Sequence, residues 1–140
     1  MASIATRGGV RLGHILQWEL KEGSNHSRKT VTIREAAAKG YVIGEVLGKV
    51  TATGKYKQLD PAANDGSQNF AGIFIGTDSA LDPDNLAVAA NTDTNGVILF
   101  RDAGVGKIYL RWIAGVTAPQ KAAVYAQMEA AGFTVLDQLV

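Results

Sequence analysis

Apolar residues in this chain come in short runs, several of them alternating with polar ones, and glycine, asparagine and aspartate punctuate the gaps. A period of two is the pattern of strands with one apolar face. Its first instance stands apart: Leu16, Trp18 and Leu20 alternate with Gln17 and Glu19, and Ile15 is out of phase. Around it, residues 1–30 are small and polar. Thr30-Val31-Thr32-Ile33 is rich in β-branched residues and predicts the first strand of a packed body. Gly40 cuts short the helical promise of Ala36-Ala37-Ala38-Lys39, which predicts a loop. Residues 42–51 and 56–59 flank Thr53-Gly54-Lys55 and predict a hairpin.

Further along, Asp60-Pro61 and Asp65-Gly66 mark a loop, and Phe70–Ile75 predicts a buried strand. Residues 78–85 look turn-like. Residues 86–90 then face 96–100 across a link ending in Asn95-Gly96, the signature of a second hairpin. Residues 105–112 predict a half-buried strand with Ile108, Leu110 and Trp112 on one side. One helix is predicted, at about 118–131. Thr117 and Gln120 form a capping box, Pro119 sits in the first turn and Gly132 stops the helix. Its apolar face would be Ala122, Ala123, Tyr125, Ala126, Met128 and Ala130. Phe133–Leu136 and Leu139-Val140 end the chain as a strand or extended tail. The class is mainly β with one short C-terminal helix.

Charge divides the chain where the pattern does. In residues 1–30, Arg7, Arg11, Lys21, Arg28 and Lys29 face Glu19 and Glu22, a net of +3, whereas residues 31–140 carry a net of −2. So glycine-rich a segment buries too little surface to offset its own ordering entropy. Residues 1–30 are therefore read as an extended arm that orders on a partner, and 31–140 as a compact β-rich body. Trp18 suits an anchor on another protein better than a core, since interfaces favour aromatics; a solvated tail is the plainer alternative for the arm.

Composition narrows the function classes. The 140 residues suit one domain, and without cysteine there is no disulfide, thiolate metal site or cysteine nucleophile. A total charge of +1 argues against bulk nucleic-acid binding. No apolar run approaches the ~20 residues of a membrane helix, and residues 1–10 lack the apolar core of a secretory signal. Both histidines, His14 and His26, fall in the arm, where a catalytic base would be poorly held. Asp60, Asp65, Asp82 and Asp84 read as turn formers because a calcium loop's further ligands are missing. Gly104, Gly106 and Lys107 resemble a phosphate cradle only superficially, as no helix is predicted to begin there. No catalytic site, metal or cofactor is predicted.

The run from Gly44-Glu45-Val46-Leu47-Gly48-Lys49-Val50 through Gly54-Lys55-Tyr56, then Leu59-Asp60-Pro61-Ala62-Ala63-Asn64-Asp65-Gly66-Ser67-Gln68 and Ala71-Gly72-Ile73, resembles the head decoration proteins of tailed bacteriophages. The likeness covers roughly residues 30–140. It implies a non-enzymatic capsid protein, a β-rich unit made in the host cytoplasm that binds as a homotrimer to the outside of the expanded head at three-fold and quasi-three-fold sites and stabilises the shell against internal DNA pressure. The implied partners are the major capsid protein and further copies of itself. Arg7, Arg11, Ile15, Leu16, Trp18, Leu20, Arg28 and Lys29 are then the candidate capsid-binding arm, and Phe133, Val135, Leu136 and Leu139 the candidate trimer contacts. The arm is longer and more aromatic than that of the lambda protein, so docking details do not transfer. Two other readings compete: a small β-barrel recognising carbohydrate or another host-surface ligand, and a small hydrolase resting only on the loop carboxylates.

Overall fold

The computed structural model describes residues 27–77 and 85–137 in full and Leu16–Glu19 by their backbone. Five strands close a barrel in the order β2 (Arg28–Ile33), β5 (Tyr56–Gln58), β4 (Val46–Lys49), β6 (Gly72–Gly76), β8 (Thr94–Leu99). The long seam is antiparallel, from Arg28 opposite Leu99 to Ile33 opposite Thr94. The closing seam is short: Ile33 meets Tyr56 in parallel, and the Arg34 N–H donates to the Tyr56 carbonyl at 2.9 Å. Outside the barrel, β3 (Lys39–Val42) and β7 (Asn85–Val88) form an antiparallel ribbon. A third sheet has the order β1 (Leu16–Glu19), β9 (Ala103–Gly106), β10 (Thr134–Leu136).

Period-two alternation sends the barrel residues into two cores. On β6, Ile73 and Ile75 join one apolar cluster and Phe74 the other; β4 divides Val46 from Leu47, and β8 divides Leu99 from Ile98, in the same way. Both faces of β6 are covered, so all five of its residues are buried and the run reads as continuously apolar. Val31, Ile33, Tyr41, Tyr56 and Val88 complete the cluster around Phe74. The cluster around Ile73 packs against β9 and the helix α1 (Ala118–Ala130) through Val105, Val124, Met128 and Phe133.

Both ends of α1 follow local chemistry. Thr117 Oγ1 accepts from the Gln120 N–H at 3.3 Å, and Gln120 Oε1 accepts from the Thr117 N–H at 2.9 Å. At the other end Gly132 adopts φ 92°, its N–H bonds the Glu129 carbonyl, and the Phe133 N–H bonds that of Met128. The face differs from the predicted one. Val124 and Met128, one turn apart, are buried and Tyr125 is half-buried, whereas Ala122, Ala123, Ala126 and Ala130 are exposed. A valine and a methionine bury far more apolar area than alanines, so they set the helix's rotation.

Other expectations are corrected too. The predicted 86–90/96–100 hairpin does not form, because β7 pairs with β3 while β8 lies between β2 and β6. Gly96 is inside β8 and makes no turn: a Cβ there would come within 2.7 Å of Ile33 Cδ1 and 3.1 Å of Phe74 Cε1, so glycine permits close packing. The predicted 42–51 segment is broken at Gly44, whose φ of 107° separates β3 from β4. The predicted 105–112 strand ends at Gly106 and turns into a 3₁₀ segment, Lys107–Tyr109. This leaves Ile108 63% exposed while Leu110 is buried, so the two do not share a face. The turn predicted at 78–85 falls almost wholly outside the described residues.

Candidate interaction surfaces

The three-stranded sheet gathers two of the segments singled out from sequence. Its centre, β9, reads Ala-Gly-Val-Gly and is wholly buried, and its small residues offer little obstruction to neighbours on either side. β1 runs antiparallel to it, with Leu16 opposite Val105, Trp18 opposite Gly104 and a bulge between. β10 runs parallel, with Val135 opposite Val105 and Leu136 opposite Gly106. The strand predicted around Leu16 and Trp18 thus forms, but its partner lies in the same chain. The expectation that residues 1–30 order on a partner is corrected for Leu16–Glu19 by that pairing. Arg7, Arg11, Ile15, Leu20 and Leu139 lie outside the described residues.

Phe133, proposed as a trimer contact, is only 4% exposed and stacks edge-on against Phe70 at 5.3 Å within its own subunit. It is a core residue. Val135 packs half-buried against the same cluster, and Leu136 is half-buried. The end of β10 is tethered by Lys107, whose ammonium donates to Asp137 at 2.7 Å and lies 4.6 Å from the Tyr125 ring centre. The bond to Asp137 raises the lysine's pKa.

Arg28 and Lys29, assigned to the arm on sequence, are the first residues of β2 and belong to the barrel. The exposed Lys29 directs its ammonium over two rings, 4.5 Å from the centre of Phe100 and 5.7 Å from that of Tyr56. Lys49 Nζ lies 5.9 Å from the same Tyr56 ring, and the Arg101 guanidinium lies 4.7 Å from that of Phe100. Cations placed over aromatic faces are attracted by the ring quadrupole.

A buried polar network joins the β3–β7 ribbon to the barrel. Glu45 accepts from Gln58 Nε2 at 2.8 Å and from Lys39 Nζ at 3.5 Å. Glu35 accepts from the Tyr41 hydroxyl and, at 2.8 Å, from the Gln58 N–H. Burial raises the Glu45 pKa against the pull of Lys39, and burial together with Glu35 raises that of Tyr41. Sequence reading passed over this network, though a glutamate inside the apolar run Ile43–Leu47 was the signal for it.

The loop carboxylates serve turns. Asp65 Oδ1 accepts from the Ser67 N–H at 3.0 Å and from its hydroxyl at 2.5 Å, which lowers the Asp65 pKa, and Asp60 Oδ1 accepts from the Ala62 N–H at 3.0 Å. Asp82, Asp84 and both histidines lie outside the described residues. Gly104 and Gly106 lie within β9, and Lys107 is paired with Asp137. Among the described residues, no group of three or more His, Asp and Glu is placed to hold a metal ion.

The described residues thus define a small closed β-barrel with a flanking three-stranded sheet, whose outer edges are unpaired among them, and a cationic barrel end. The chain belongs to the family of bacteriophage lambda head decoration protein D, whose family model matches residues 9–133. That match takes in β1, the whole barrel and α1. No curated protein matches the chain. Membership places it among structural proteins of the phage virion that decorate the capsid.

Proposed function

We propose that the chain acts as a homotrimer on the outside of an expanded phage head. There it occupies three-fold and quasi-three-fold positions and holds the major capsid subunits against internal DNA pressure. The observation that carries this reading is the family match, which includes both the barrel and most of the N-terminal segment.

Sheet order supports a docking mechanism. β1 is an edge strand, so among the described strands its outer side is unpaired. An extended shell segment adding there would gain backbone hydrogen bonds and lengthen the β1-β9-β10 sheet. Strand addition at Leu16 and Trp18 then uses a strand already held by β9, which reduces the ordering cost of docking, and Leu20 follows as a further arm contact. Arg7, Arg11 and Ile15 extend the contact along the shell. Three such arms on one trimer raise the effective concentration of each and strengthen binding by ~10²–10⁴-fold over one arm. Val135, Leu136 and Leu139, at and beyond the open side of β10, supply trimer contacts.

Cosedimentation with expanded and precursor shells tests the proposal. Deleting residues 2–15 removes Arg7, Arg11 and Ile15 while sparing the sequence of β1 and β2, and is expected to weaken shell binding without changing trimer mass or melting temperature. Full occupancy by the truncated protein would refute the arm's role, and equal binding of the intact protein to precursor shells would refute selectivity for the expanded head.

A further inference from the structure

We infer that the barrel end formed by Lys29, Lys49, Phe100 and Arg101 is a second docking surface, specific for a carboxylate-rich protein segment. The inference deepens the decoration reading by giving the body, as well as the arm, a contact of defined chemistry.

Geometry gathers the charges. Lys29 is shared between the Phe100 and Tyr56 rings, Arg101 lies over the first and Lys49 near the second. Each of the three cationic heads is therefore within 5.9 Å of the centre of one of the two rings that Lys29 approaches. Among the described residues neither Lys29 nor Lys49 forms an ion pair, in contrast to Lys55, Lys107 and Arg34, each of which meets an aspartate. The β4–β5 hairpin that carries Lys49, residues 46–58, contains no Asp or Glu. Lys29 and Lys49 approach the same Tyr56 ring with no carboxylate partner of their own among the described residues, and an acidic ligand supplies one.

Ring geometry selects the kind of partner. Tyr56 is only 5% exposed and Phe100 is half-buried, with cations already over it. Neither ring offers a free face on which a base could stack, and a compact group of cations on a chain of net charge +1 is far from the extended basic track nucleic acid requires. Carboxylates need no such platform. The Lys29 and Lys49 ammoniums, fixed over rings, are partly ordered before the ligand arrives, which lowers the entropy cost of binding.

The test compares the full-length protein with Lys29→Glu/Lys49→Glu, and with Lys121→Glu as a charge control on α1. Circular dichroism and melting temperature establish that all three fold. Binding is read by anisotropy with a fluorescent oligoglutamate peptide and with a single-stranded DNA oligomer of equal charge, and by cosedimentation with expanded shells. The double variant is expected to bind oligoglutamate about tenfold or more weakly and to need more protein to saturate shells, while the control matches wild type. Wild-type binding to oligoglutamate should weaken as salt rises. A double variant that binds both oligoglutamate and shells like wild type overturns the inference, as does a wild type that ignores oligoglutamate. Tighter binding to DNA than to oligoglutamate overturns the partner class. Should the double variant prove unfolded, Lys49→Gln alone carries the same comparison with a smaller expected loss. Oligoglutamate binding by wild type, with no binding to shells, overturns the decoration reading alone and leaves this surface standing.

Discussion

Gly48 shows how one missing atom fixes the barrel. A Cβ at this position would press on the backbone of Ser67, its carbonyl carbon at 2.6 Å and its Cα at 2.7 Å, and backbone cannot swing aside as a side-chain tip can. Gly48→Ala is expected to destabilise by roughly 1–3 kcal/mol, the usual range for overpacking, as measured by urea unfolding. An unchanged midpoint would show that Ser67 yields freely. Glu45 supplies a pH signature. Its pKa is raised by burial, so between its ordinary value of 4.5 and the raised value the folded chain holds a proton that the unfolded chain has lost. Stability then falls as pH rises through that window, and Glu45→Gln removes this part of the slope. Asp93 works in the opposite sense: hydrogen bonds from Lys55 and Arg34 hold its pKa below 3.8, so its contribution is present above that value and fades as pH falls through the lowered one. Denaturation midpoints of wild type and Glu45→Gln across pH 4–7 check the first sign, and parallel curves would contradict it.

Elements with local signals were legible in the sequence, and those defined by distant partners were not. The helix announces itself through Thr117, Gln120, Pro119 and Gly132, all within its own ends. Thr117→Ala is expected to cost about 1 kcal/mol, read as a lowered melting temperature, because it removes the hydroxyl that accepts the Gln120 N–H. The β4–β5 hairpin is equally local: Gly54, at φ 71°, turns the chain so that Lys49 faces Tyr56. By contrast, residues 86–88 and 96–99 carry strand patterns but nothing that names their partners. β7 goes to β3 and β8 to β2, choices made by how Tyr41, Val88, Val31 and Ile98 pack in a shared core. β1 repeats the lesson. Its alternation predicted a strand, while its acceptor β9, with two glycines in four residues, carries little strand propensity. Among the candidate contact residues, residue type did not reveal that Lys29 and Phe133 belong to the folded body, one at the barrel end and one in the core.

At the scale of the whole molecule, uneven charge and uneven hydrophobic patterning together describe how the chain is used. A basic N-terminal sequence precedes a barrel whose own surface carries Lys29, Lys49 and Arg101. With no cysteine in the chain, no covalent staple contributes, and trimer formation and shell contact would supply further burial by mass action. The most direct measurement is electron cryomicroscopy of expanded heads mixed with the full-length protein. The account predicts three barrels grouped around each three-fold and quasi-three-fold position on the outer surface, with N-terminal segments running onto the shell. Bare three-fold positions, or single copies scattered at other sites, would contradict it.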